Sequence, residues 1–275
     1  YWSQGNIYGA KLKENMLELA SEPKTLGELP AKGLKEGPFL FERKGVYYLT
    51  YPHVANKTER LEYATSTSPL GPFTVKGVIM DESPTGCWTN HHSLVQVKNQ
   101  WYLFYHHNDL SPKFDKSRSV RIDSLSFAAD GSINKVTPTL RGVGLTDAHQ
   151  KIQLDRYSRI SDAGATIAFL DTANKFSGWK TIFTKSNGWI QYNGVAFGKQ
   201  KPKTLTVRGA SVVGATVEIR LNNGTGPLVA KVAIPKGGTW QDIRVPVAAF
   251  EPGKHTLIAK ATSEAMAEVD WIRFD

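Results

Sequence analysis

An all-β chain in two parts, propeller blades followed by a β-sandwich, is what this sequence predicts, on three observations. Short runs rich in Val, Ile, Thr, Tyr and Phe alternate throughout with clusters of Gly, Pro, Asn and Asp, the mark of strands separated by turns. A helical period is absent except over Lys11–Leu19, where Met16 and Leu17 suit a blade-edge strand and turn equally well. The strands fall first into two groups of about forty residues, the repeat length of four-stranded blades. They then continue as a series with the alternation of a sandwich or jelly roll.

In chain order, the first group holds strands at Pro38–Arg43, Val46–Tyr51, Leu61–Ser66 and Thr74–Met80, the first pair joined by a Lys44-Gly45 hairpin turn. The second group holds His92–Val97, Trp101–His106, Ser119–Phe127 and a last strand near Ile133–Val136. The patterning changes around Thr139–Gly144, and the boundary is set at Leu145 to Gln150, giving segments 1–145 and 146–275. Beyond it come Trp189–Phe197, Thr204–Ala210, Thr216–Asn222, Leu228–Ile234, Trp240–Val247, His255–Ala261 and Glu268–Phe274.

Composition excludes several classes. With 275 residues, 40% hydrophobic and 21% charged, the chain can bury ample cores. No apolar run approaches membrane-spanning length. The net charge of +9 invites a nucleic-acid partner, but the Lys and Arg are dispersed among acids, with no basic stripe. Cys87 is the only cysteine, so no internal disulfide forms. The opening at Tyr1, without methionine or leader, implies a processed or truncated chain.

One carboxylate stands out. Glu36 lies directly ahead of Gly37-Pro38 and the apolar strand Phe39-Leu40-Phe41. A Gly-Pro corner takes the acid out of the ladder and holds it on a rigid strand end, as a proton donor requires. A surface Glu opening a turn is the plain alternative. After it come, in order, Ser66-Thr67-Ser68-Pro69-Leu70-Gly71-Pro72-Phe73, Thr89-Asn90-His91-His92-Ser93, Trp101-Tyr102-Leu103-Phe104-Tyr105-His106, Arg118-Ser119-Val120 and Phe127–Ile133. This order resembles the later half of a glycoside hydrolase family 43 catalytic domain, a five-bladed β-propeller acting on plant cell-wall polysaccharides.

The resemblance covers residues 1 to about 145 and implies roles. Glu36 matches the general acid of an inverting family, in which two carboxyl groups stand roughly 6.5–9.5 Å apart around the attacking water. The family's base and acid-tuning Asp lie in earlier blades, which this chain lacks; Tyr1–Asn6 resembles the end of such a blade, and the missing segment is an expected partner. Asp81, Asp109, Asp115 and Asp123 read as turn and strand-edge residues. Adjacent His91 and His92, with Trp88 nearby, point to opposite faces if extended, and either can bind a metal, orient a carboxylate or close a turn. The resemblance puts His91 in the axial channel and makes His91, Trp88 and Arg118 substrate contacts; Arg121 is the rival of Arg118, one odd step away.

The second segment resembles a carbohydrate-binding module of family 6, on Ile152-Gln153-Leu154-Asp155-Arg156-Tyr157-Ser158, Gly188–Val195, Leu205–Arg208, Val217–Leu221 and Val269-Asp270-Trp271-Ile272-Arg273-Phe274. Flat aromatic rings stack on the apolar faces of sugars. Trp179 and Trp240 match the two loop-flanking aromatics that enclose a terminal sugar, whereas Trp189 and Trp271 sit within alternating strands and read as core. Glu268 stands where the family commonly has an Asn ligand. Gln153, Asp155 and Asp270 match a structural calcium site, since oxygen ligands suit calcium; no organic cofactor is expected.

Together these readings imply an inverting glycoside hydrolase fragment that releases arabinofuranose or xylose from arabinoxylan, tethered by a sugar-binding module. They further imply a secreted bacterial address and no nucleic-acid or membrane partner. The alternatives are a non-catalytic carbohydrate-binding protein with the propeller as scaffold, and a protein-interaction propeller, against which Glu36 and Arg118 count.

Overall fold

The computed structural model describes the chain apart from Gln4, Ala31, Thr89, residues 110–114, Gln200 and the side chains of Trp2 and Ser3. Gln4 of the opening motif and Thr89 of the Thr89–Ser93 motif therefore lie outside the described residues. Two compact units, Tyr1–Pro138 and Thr139–Asp275, each carry their own core. The division falls a few residues ahead of the expected boundary for a local reason. The Leu140 and Arg141 amides donate to the Tyr157 carbonyl at 3.1 and 2.9 Å, and the Arg141 guanidinium lies 4.9 Å from the Tyr192 ring. Those contacts tie Thr139–Gly144 to the second unit.

In the first unit, β1 (Trp2–Ser3), β2 (Ile7–Gly9) and β3 (Lys24–Thr25) make a small antiparallel sheet. Next, β4 (Phe39–Arg43), β5 (Val46–Val54), β6 (Glu59–Ser66) and β7 (Thr74–Met80) form a four-stranded meander, the architecture of a blade. Lys44 and Gly45 both take positive φ, 54° and 78°, the left-handed pair that a two-residue hairpin needs. A second antiparallel sheet has β8 (Ser93–Val97), β9 (Gln100–His107) and β10 (Ser119–Leu125) in the order β10-β9-β8.

One expectation is corrected here and one alternative is decided. The strand near Ile133–Val136 shrinks to a single bridge between Phe127 and Ile133, because the Val136 amide is used on the Ile79 carbonyl of β7, at 2.7 Å. Lys11–Leu19 contains no helix: a Leu12–Leu19 bridge closes a turn with Met16 at φ 60°, and Met16 and Leu17 face solvent. Between the two larger sheets, Tyr48, Leu61, Ile79, Leu94, Leu103 and Leu125 make a common core, capped by Phe41 stacked on Tyr48 with centroids 4.9 Å apart.

The second unit is a β-sandwich. Its strands are β11 (Thr146–Asp147), β12 (Ile152–Gln153), β13 (Arg159–Ile160), β14 (Ala165–Phe169), β15 (Trp179–Phe183), β16 (Trp189–Ala196), β17 (Thr204–Ala210), β18 (Ala215–Leu221), β19 (Leu228–Ile234), β20 (Gln241–Pro246), β21 (Lys254–Ala261) and β22 (Ala267–Phe274). One sheet runs β11-β16-β21-β18-β19 with β13 beside β16; the other runs β14-β15-β22-β17-β20 with β12 beside β22. Alternate residues meet between the sheets, Ile190, Tyr192, Val217 and Leu257 among those facing Phe183, Leu205, Val269 and Phe274. Of the two tryptophans expected in the core, Trp271 is buried and Trp189 is not. Trp189 precedes inward Ile190 and so points outward, half-buried; Trp271 is buried on the outer side, beneath Lys151 at 4.5 Å and Arg273 at 6.0 Å. The described residues hold no α-helix, and none is long and apolar enough to cross a membrane.

Candidate functional site

Gly37, at φ 76°, and Pro38 turn the chain before β4 begins, leaving Glu36 at the mouth of the strand with its side chain 68% exposed. The His91 Nε2 lies 3.6 Å from the Glu36 Oε1. The imidazole rests on Gly37, where an added Cβ would come within 2.9 Å of the ring, so a side chain there would displace His91. The neighbouring His92 turns the other way, with Nε2 2.6 Å from the Thr50 hydroxyl. Burial pushes its imidazole down to about 3, which keeps it neutral. Of the two histidines, His91 is the one that faces the acid.

Around this pair the structure gathers further groups. The Lys35 Nζ lies 5.7 Å from the centre of the half-buried Trp88 ring, and the Trp88 amide donates to the Asp115 carbonyl at 2.8 Å. Glu59, the first residue of β6, is 2% exposed and accepts a short hydrogen bond from the Asn90 amide. Burial raises the Glu59 carboxyl above the usual range; the Asn90 amide and His91 oppose that, and Glu36 adds to it. Arg118 is exposed and donates to the Lys116 carbonyl at 3.2 Å. Arg121 is buried and bonded to Asp109 at 2.6 Å, so the two arginines serve different surroundings. The Cys87 thiol, pushed up to about 11 by burial and then by Asp109 and Glu59, is also within electrostatic reach of Arg118. Hence Glu36, His91, Lys35 and Glu59 share one neighbourhood, Trp88 adjoins it, and Arg118 approaches from the β10 side.

Sequence reasoning missed Glu59 because a Glu opening a strand ordinarily reads as a polar edge residue. It placed Asp109 in a turn and Asp123 on an edge strand, as the structure does, but not the partners that hold them. Burial works against the Asp109 charge, yet His107 and Arg121 outweigh it and hold the carboxyl below its ordinary range. Asp123 is buried and accepts from the Tyr105 hydroxyl at 2.6 Å.

In the second unit, Trp179 opens β15 and packs on Phe169 with centroids 4.2 Å apart. Trp240 immediately precedes β20, with Lys180 and Arg208 5.8 and 5.9 Å from its ring. Among the described residues no ring contact joins the two indoles. Glu268 accepts from the Lys180 ammonium at 2.8 Å, so its carboxylate is already engaged. Burial pushes Asp155 up to about 6, opposed by Arg156, with Asp270 adding to the rise. Burial raises Asp270 too, against Arg208 and Lys151. The Asp155 Oδ1 is buried without a partner among the described residues. Gln153, with its amide nitrogen turned toward Asp270, donates to the Asp270 Oδ1 and carbonyl at 3.3 Å. Asp155 and Asp270 are thus two desolvated carboxylates, one with an orphaned oxygen, and among the described residues no group of three or more His, Cys, Asp or Glu gathers as for a metal ion.

Residues 1–133 match the model for glycosyl hydrolases family 43, and residues 161–275 that for carbohydrate binding module (family 6). An arabinoxylan arabinofuranohydrolase of Paenibacillus polymyxa is 28% identical over 77% of this chain and 37% of its own length. A xylosidase/arabinosidase of Bacteroides ovatus is 36% identical over 45% of this chain and 40% of its own length. The chain thus spans less than half the length of these relatives. A solved family 43 arabinoxylan arabinofuranohydrolase from Bacillus subtilis, in complex with cellotetraose, matches 96% of this chain and 58% of its own, at 25% identity and a TM-score of 0.51. The all-β first unit with its blade meander and the jelly-roll second unit agree with both family matches. The chain therefore carries a glycosyl hydrolases family 43 match over residues 1–133 and a carbohydrate binding module (family 6) match over residues 161–275.

Proposed function

We propose that this chain serves an inverting glycoside hydrolase that removes arabinofuranose or xylose from arabinoxylan-type polysaccharide, with Glu36 as general acid. The observation that carries the reading is Glu36 itself, an exposed carboxyl fixed at the β4 mouth and faced by His91 at 3.6 Å within a family 43 segment. In the reaction, the Glu36 proton passes to the glycosidic oxygen as the bond to the anomeric carbon breaks. A water molecule attacks the opposite face of that carbon and gives its proton to a second carboxylate. Glu59 is unsuited to that second role, since a carboxylate 2% exposed leaves no room for the attacking water. Trp88 offers an apolar face to a sugar ring, and Arg118 a planar donor for hydroxyls.

The family 6 segment supplies polymer binding, with Trp179 and Trp240 as sugar platforms, and its tether raises the local substrate concentration. Glu268, held by Lys180, acts there as a fixed acceptor. Gln153, Asp155 and Asp270 are proposed to hold calcium, which would supply charge compensation to the buried acids. A secreted address follows from the substrate, a polymer too large to cross a membrane. The test is a proton NMR time course of arabinoxylan digestion by the chain joined to the preceding blades expected to carry the base. Release of arabinose or xylose first in the inverted anomeric form is expected; retained configuration contradicts the mechanism, and binding without release favours the scaffold reading.

A further inference from the structure

We propose that Glu59 is the positioning residue of the Glu36 site, its buried carboxylate fixing the Asn90 backbone and, through it, the His91 imidazole that faces Glu36. This inference rests on the reading of Glu36 as general acid. Its own support is geometric. A carboxylate so fully withdrawn from water is costly unless it is paired. Among the described residues Glu59 has no cationic side chain at ion-pair distance; the partner it does have is the main-chain amide of Asn90. Asn90 is itself completely buried, and both atoms of its side-chain amide lack partners among the described residues, so the Glu59 carboxylate is the recorded anchor of this turn.

The residue after Asn90 is His91, whose ring lies against Gly37 and 3.6 Å from Glu36. A displacement of the Asn90 amide therefore moves the imidazole relative to the acid. Misplacement of a catalytic constellation by about 1 Å can lower a rate on the order of 100-fold. The groups facing Glu59 are Lys35 and Glu36 from the segment before β4, and Asn90 and His91 from the segment before β8. These charges feel one another, as the joint influence of Glu36, His91 and Lys35 on Glu59 records.

The experiment uses the chain joined to the preceding family 43 blades expected to carry the base, and has two readouts. In the first, the His91 ring–Gly37 Hα nuclear Overhauser effect is measured in wild type, Glu59→Gln, which keeps an acceptor, and Glu59→Met, which keeps bulk but no acceptor. The contact is expected in wild type and Glu59→Gln and lost in Glu59→Met. Persistence in a folded Glu59→Met variant overturns the proposal whether or not the protein hydrolyses anything. Should that variant not fold, loss of the contact in a folded Glu59→Gln variant overturns it instead, and retention supports it. The second readout compares arabinoxylan with an activated 4-nitrophenyl glycoside, whose leaving group needs no proton. Glu59→Met, or Glu59→Ala if Met does not fold, is expected to lose about tenfold or more in kcat on arabinoxylan, with KM and the activated substrate little changed. An equal loss on both substrates indicates a structural role and overturns the proposal. Failure of Glu36→Gln to slow arabinoxylan hydrolysis overturns the acid assignment alone.

Discussion

At the scale of single residues, burial decides which acids are ordinary and which are charged with a task. Asp155 has its folded value raised from 3.8 to about 6, chiefly by burial. The folded chain thus holds a proton that the unfolded chain releases. That stability is fully present below the unfolded value and is lost as pH rises through about 6. Urea melts should show the second unit losing about 2 kcal/mol between pH 4 and pH 7 from this group, at about 1.4 kcal/mol per unit shifted. Asp155→Asn should flatten that loss. Calcium should do the same if it neutralises Asp155 and Asp270, raising the melting temperature most at pH 7; a calcium-independent melt contradicts the proposed site. The places of Glu36 and His91 just ahead of β4 and β8 were legible because turn residues precede each strand, while their roles came from the family resemblance. Glu59 was not legible, since nothing in a period-two pattern separates a buried acid from an exposed one.

At the scale of elements, β16 shows what alternation fixes and where a motif misleads. Ile190 and Tyr192 pack inward while Trp189 faces out, although tryptophan within an alternating strand invites a core reading. Ile190→Ala should therefore cost about 2–5 kcal/mol, and Trp189→Ala distinctly less, by chemical denaturation of the second unit; equal costs contradict the outward placement. The glycine ahead of β16 is more exacting. A Cβ on Gly188 would stand 1.9 Å from the Gly164 carbonyl oxygen, so Gly188→Ala should destabilise by about 1–3 kcal/mol through forced displacement of that backbone. The last seven sandwich strands, β16 to β22, were legible almost residue by residue because both sheets bury one face, whereas β14 and β15 were not assigned. The fate of the Ile133–Val136 strand was not legible, because its amide at Val136 is taken by β7, a long-range choice that local pattern does not record.

At the scale of the molecule, each unit has its own core, and segment 139–275 should fold when produced alone, with a cooperative melt and retained binding of xylo-oligosaccharides. The first unit leaves something uncovered. Val95, Val97, Phe104 and Val120 lie on the outer face of the β8–β10 sheet, and Val120 is 83% exposed. An apolar sheet face of this kind favours association. Sedimentation of the 275-residue chain should show self-association that Phe104→Lys with Val120→Lys reduces; a wild type that stays monomeric as concentration rises contradicts this. The central claim concerns Glu36, and leaving-group dependence tests it most directly. With the preceding blades that are expected to carry the base present in both, rates of wild type and Glu36→Gln are compared over aryl glycosides of graded leaving-group acidity and over arabinoxylan. The account predicts a loss of about 10²–10⁴-fold on poor leaving groups, shrinking toward none on the best; an undiminished rate on arabinoxylan, or one loss across the whole series, contradicts it.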